Sequence, residues 1–101
     1  MNLRVLAEAE AESREAMLYY EDRCEGLGTD FCDNLNQTMR DICRKPLRFP
    51  VYEGKSLSRE FRRARVWRFP YIVVFQVREA EILVVAVAHT SRKPGYWESR
   101  A

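Results

Sequence analysis

PYIVVFQVREAEILVVAVAH, residues 70–89, holds two apolar, β-branched runs separated by the charged tetrad REAE. Runs rich in Val, Ile, Phe and Tyr, joined by a short polar turn, form a β-hairpin. Pro70 has no amide hydrogen to give to a ladder, so it fits only at a strand start or an edge. Just upstream, FRRARVW (residues 61–67) alternates loosely and adds a third strand.

Towards the N-terminus the period changes. LRVL (residues 3–6) alternates weakly and is expected as a short first strand. Ala9, Ser13, Ala16, Met17, Tyr20 and Cys24 then fall on one face of a helix, with Glu8, Glu10, Glu12 and Glu15 crowding its first turns, where the helix dipole favours acids. EGLG (residues 25–28) supplies the glycines that end such a helix. Thr29 or Asp30 is the expected N-cap of a second helix, in which Phe31, Leu35, Met39, Ile42 and Cys43 repeat the helical spacing and which Pro46 ends. Helices joined this closely fold back as an antiparallel hairpin. KPLRFPVYEGKSLS (residues 45–58) shows no regular period and is expected as a long connecting loop.

The element order is thus β-α-α-β-β-β, an α+β domain with a helical hairpin packed on an antiparallel sheet. At 101 residues the chain accommodates one domain and not two, so residues 1–101 form a single unit. The order of strands within the sheet does not follow from these patterns.

The first residues lack the apolar core of a secretory signal, and the longest apolar run, residues 82–88, is too short to span a bilayer. The expectation is a soluble cytoplasmic protein without a membrane partner. Cys24, Cys32 and Cys43 are odd in number, lack CxxC spacing and have no histidine nearby, so reduced thiols, no metal and no cofactor are expected. The net charge of +2 conceals a strong asymmetry: residues 7–30 carry a balance of −6 and residues 40–68 one of +7. Five arginines within REFRRARVWR (residues 59–68) favour an acidic partner, either nucleic acid or an acidic protein segment.

The hairpin ends in HTSRKPGYW, residues 89–97, which gathers the chain's one histidine with Arg92, Lys93, Tyr96 and Trp97. His89 can serve as a proton carrier or simply cap the strand. Tyr96 and Trp97 can contact a target or fold back over a sheet edge. Arg92 can bind a phosphate or pair with Glu98.

Four stretches together resemble toxin subunits of the RelE/ParE superfamily of bacterial type II toxin–antitoxin systems. They are YYEDRCEGLG (19–28), PLRFP after the second helix (46–50), Arg62–Arg63 ahead of RFPYIVVF (68–75), and VAVAHTSRKPGYW (85–97). They occur in order along nearly the whole chain, and that superfamily's fold has the element order derived above. The resemblance implies a growth inhibitor, of the kind tied to plasmid stabilisation, that is neutralised by a cognate antitoxin protein in a hetero-oligomer.

The superfamily divides by target. RelE-like members cleave messenger RNA on the ribosome, whereas ParE-like members poison DNA gyrase. A nuclease needs a base, an acid and cations for the developing phosphorane. His89, Arg92 and Tyr96 are the catalytic candidates, with Arg63 and Arg65 standing where the cleavers carry basic residues. However, the cleavers carry an arginine directly after the tyrosine that opens the penultimate strand, and here Tyr71 is followed by Ile72. A second cleaver arginine lies six residues before the C-terminal tyrosine, and that position is Thr90. The resemblance therefore favours a ParE-like, gyrase-binding toxin over an mRNA endonuclease, with a non-toxic remnant that only binds antitoxin as a further alternative. Arg62, Arg63, Arg65, Arg92, Tyr96 and Trp97 are the expected target- or antitoxin-binding residues.

Overall fold

The computed structural model describes residues 2–53 and 59–101; of the expected loop at 45–58, residues 54–58 lie outside the described residues. Strand β1 (Asn2–Val5) leads into helix α1 (Ala7–Arg23), and helix α2 (Leu27–Arg44) returns antiparallel to it. A 3₁₀ turn (Pro46–Arg48) begins the connection to β2 (Arg62–Arg65), β3 (Tyr71–Val77) and β4 (Glu81–His89). The expected order of elements is the order found.

The sheet runs β1-β4-β3-β2. The three C-terminal strands are antiparallel, as expected, but β1 lies parallel to β4, with Asn2 opposite Glu81 and Val5 opposite Val84, so the whole sheet is mixed. Its docking makes β4 an interior strand, which accounts for the unbroken apolar run: residues 82–88 are buried on both faces.

One face of the sheet is covered by the helices. Ala9 and Ala16 of α1, and Phe31, Leu35 and Ile42 of α2, pack there against Val73, Phe75, Ile82, Val84 and Val87. The other face carries Phe61, Val74, Leu83, Val85 and Trp97, with Tyr52, Tyr96 and Ala101 packed around them. Trp97 is 1% exposed, so the segment after β4 folds back to close this face. The expectation that Trp97 meets a partner is corrected here: its ring lies inside the protein against Tyr52 and Phe61.

The second helix begins at Leu27, ahead of the expected cap at Thr29 or Asp30. The cap comes from the preceding helix instead: the Glu21 carboxylate accepts the backbone N–H groups of Gly26 at 3.0 Å and Gly28 at 3.0 Å. Those amides are among the four that a helix start leaves unpaired. Gly26 takes a left-handed φ of 87° to make the reversal. Gly28 permits the close crossing of the two helices, since a Cβ there would sit 2.7 Å from the Met17 carbonyl oxygen.

One irregularity bears on function. Val74 pairs with Ala86 and Phe75 with Val84, leaving Val85 as the extra residue of a β-bulge in β4. Unbroken alternation from Ile82 would send His89 to the face away from the helices. The bulge reverses that parity, so His89 pairs with Tyr71 on the helix side.

Candidate functional site

Beyond the bulge, β4 has outrun β1, because the last contact of the first strand is the N–H of Leu6 donating to Val84 O at 3.0 Å. Side chains complete the uncovered edge. Glu12 on α1 accepts the Val87 N–H on Oε1 at 3.0 Å, and Arg100 donates to the Val85 carbonyl at 3.0 Å. The same carboxylate receives the Arg100 guanidinium at 2.9 and 3.2 Å and the Tyr96 hydroxyl at 2.5 Å. Glu12 is thus the node that fastens the returning C-terminal segment to α1 and to the strand. With burial the larger cause, this carboxylate also pushes the Tyr96 hydroxyl well above the ordinary phenol range. Tyr96 stays protonated at neutral pH, with its proton committed to Glu12.

His89 ends β4 beside this node. Its Nδ1 accepts the Ser91 N–H at 3.0 Å and lies 2.7 Å from the Ser91 hydroxyl. A ring nitrogen that accepts a backbone N–H cannot itself carry hydrogen, so the neutral ring bears its proton on Nε2. In this arrangement the Nδ1 lone pair is engaged by Ser91. Arg92 turns back over Tyr96, its guanidinium carbon 4.0 Å from the ring centre. The expected pair with Glu98 does not form among the described residues, because stacking on Tyr96 takes the guanidinium elsewhere.

Between α1 and the ends of β3 and β4 opens a cleft of about 700 Å³, lined by Tyr19, Tyr20, Arg23, Tyr71, His89 and Arg92 among others. Arg23 lies over the Tyr19 ring at 4.4 Å, and Tyr71 meets the His89 ring edge-on at 5.2 Å. Burial raises the Tyr71 hydroxyl above its usual value, with smaller contributions from the neighbouring tyrosines and glutamates. The cleft therefore offers aromatic walls with a rim of mixed charge, Arg23 and Arg92 beside Glu12 and Glu15, suited to gripping a partner's side chain.

The basic strand lies elsewhere. Arg62 faces the helices, half-buried, donating to the Phe49 carbonyl at 2.7 Å and pairing with Glu60 at 2.7 Å. It is a structural residue that ties the 3₁₀ turn to the sheet. Ala64 shares its face and is buried, while Arg63 and Arg65 are exposed on the opposite face, level with Val74 and Ile72 of β3. Neither has an acidic partner within ion-pair distance among the described residues. His89, Arg92 and Tyr96 are thus brought together at the strand end, and Arg63 and Arg65 are separated from His89 by the thickness of the sheet.

Two members of this arrangement, Glu12 and Arg100, were not singled out from sequence. Glu12 sits within the run EAEAES, where nothing marks one acid over its neighbours. No group of three or more His, Cys, Asp or Glu side chains is poised to hold a metal among the described residues. No helix among them is long and apolar enough to cross a membrane.

A family model described as "ParE toxin of type II toxin-antitoxin system, parDE" matches residues 3–94. No curated protein matches in sequence. Among solved structures, one titled "Chromosomal ParDE TA system from P. aeruginosa" is similar with a TM-score of 0.72 at 14% identity, covering 88% of this chain and 95% of that one. At that identity the structural likeness speaks for the fold alone, whereas the family match spans most of the sequence. The chain belongs to the ParE toxin family of type II toxin–antitoxin systems.

Proposed function

We propose that the protein is a cytoplasmic growth inhibitor that acts by binding DNA gyrase and is silenced by a cognate antitoxin. The observation that carries this is the division of the nuclease inventory by the sheet: His89 faces the helices, while Arg63 and Arg65 face the other way. In-line cleavage needs base, acid and phosphorane cations to converge on one phosphate. Three further features support binding over cleavage. His89 Nδ1 is taken by Ser91, the Tyr96 proton is held by Glu12, and Ile72 and Thr90 replace the two arginines of the cleavers. Losing one preorganised donor costs roughly 10²–10³ in rate, so two absences leave little catalysis. An aromatic cleft of mixed charge, and Arg63 and Arg65 exposed without an acidic partner among the described residues, suit instead a protein partner.

The test uses the purified toxin in two assays. It is expected to block gyrase supercoiling and to leave messenger RNA intact in a reconstituted translation mix, with His89→Ala keeping most of the inhibition. Codon-spaced cleavage on ribosomes that vanishes with His89→Ala or Arg92→Ala would overturn the proposal in favour of the endonuclease. Expression alone should arrest bacterial growth, and co-expressed antitoxin should restore it. Unimpeded growth at verified soluble expression would leave only the remnant that binds antitoxin.

A further inference from the structure

The turn between β2 and β3 is anchored by Val66 on one side and Phe69 on the other. Val66 is buried, and Phe69 packs edge-on against Tyr20 and Phe31 in the core under the helices. Between them Trp67 is 71% exposed, more than any other large apolar side chain among the described residues. Its mount is rigid. Val66 N–H donates to Tyr71 O at 3.0 Å, Phe69 N–H to Val66 O at 3.4 Å, and Tyr71 N–H to Phe69 O at 2.8 Å. Arg68 adopts a φ of 73°, a conformation that side chains other than glycine hold only where the surroundings impose it. Its guanidinium lies 5.5 Å from the Phe69 ring centre and 5.9 Å from that of Trp67, and reaches Asp30 at 3.6 Å.

A large aromatic held out into water on a fixed turn is a ready-made anchor. Trp and Arg dominate the binding energy of protein interfaces, and a backbone already held in place loses little freedom on docking. Arg63 and Arg65 precede Trp67 on the same stretch, exposed and without acidic partners among the described residues, within residues 40–68 that carry a charge balance of +7.

We propose that Trp67 is the anchor by which the antitoxin grips this end of the sheet. The indole enters an apolar pocket on the antitoxin, and carboxylates beside that pocket meet Arg63 and Arg65. This rests on the antitoxin partnership proposed above and adds its point of attachment. A nucleic acid fits the turn less well. Strand binding relies on several aromatics for successive bases, whereas the turn presents one. Two copies of this chain meeting through the same turn would oppose like charges.

The chain's two tryptophans supply the readout, one exposed at 67 and one buried at 97. The probe is the purified cognate antitoxin. On its addition the wild-type emission should shift to the blue, while Trp67→Phe, which leaves only Trp97 to report, should show no shift. Trp67→Ala should weaken the complex at least about 30-fold with an unchanged melting curve, and Trp67→Phe should lose less. Affinity of Trp67→Ala within threefold of wild type, or a complex that leaves the indole emission unmoved, overturns the anchor while leaving the antitoxin partnership intact. A wild-type toxin that does not bind the probe overturns both. A blue shift produced by single-stranded oligonucleotide, or by raising toxin concentration alone, assigns the turn to another partner and overturns the proposal as well.

Discussion

Glu12→Ala tests whether one carboxylate holds the C-terminal segment in place. In the folded protein the Glu12 side chain is 13% exposed and that of Arg100 18%. Truncation removes the acceptor of the Val87 amide, the Tyr96 hydroxyl and the Arg100 guanidinium together. An orphaned amide at a partly covered edge costs about 1–2 kcal/mol. Stripping the partner from a fully buried cation costs about 3–5 kcal/mol, but Arg100 retains some solvent, which reduces this to about 1–2 kcal/mol. The loss should total about 3 kcal/mol, or about 12–24 °C in Tm for a domain of this size. Glu12→Gln keeps an acceptor for Val87 and gives up the charge, so about half that loss is expected. Thermal melts followed by circular dichroism measure both variants, and hydrogen exchange at the Val87 amide reports the local opening. Arg4→Ala is the control, since the Arg4–Glu81 pair stands in solvent with Arg4 53% exposed. A Glu12→Ala shift no larger than that of Arg4→Ala would refute the role assigned to Glu12.

Gly28→Ala should destabilise the fold by about 1–2 kcal/mol despite the better helix propensity of alanine, because the new methyl meets the Met17 carbonyl oxygen at 2.7 Å; an equal or higher urea midpoint would count against the tight crossing. Burial and Glu12 raise the Tyr96 hydroxyl above the ordinary phenol value of 10.0, so the folded protein keeps a proton that the unfolded chain loses. Stability should therefore be fully present below pH 10 and fall as pH rises beyond it, and Tyr96→Phe should flatten that alkaline slope in pH-dependent unfolding. Replacing Arg63 and Arg65 with glutamate should weaken antitoxin binding and make the residual affinity less sensitive to salt, read by calorimetry at several ionic strengths.

The order of elements was legible because the hydrophobic period changes cleanly from that of a helix to that of a strand. The neighbour of β1 was not, because four residues of weak alternation suit either edge of the sheet equally well. The start of α2 was misplaced because its cap is Glu21, a side chain of the preceding helix, whereas the local pattern directs attention to Thr29 and Asp30. The grouping of His89 with Arg92 follows from their closeness in the chain, but not the face they occupy. A strand that is apolar on both sides carries no alternation, and so hides the bulge at Val85. Arg63 and His89 were grouped through the resemblance to the cleavers, which does not show the face that each occupies. The Glu12 node was out of reach, since its partners come from distant parts of the sequence and its neighbours are acids too.

The fastening of Glu12 to Arg100 spans 88 residues, and the Tyr96 bond to the same carboxylate spans 84. Contacts of such separation are slow to form, because the whole intervening chain must be closed into a loop before they reward it. During synthesis α1 leaves the ribosome long before its partners at Tyr96 and Arg100 exist, and β1 waits equally for β4. The helical hairpin can form early, but the central strand and both edges beside it wait for residues translated much later. A nascent toxin therefore stays without a closed sheet for most of its synthesis, and its binding surface is assembled late.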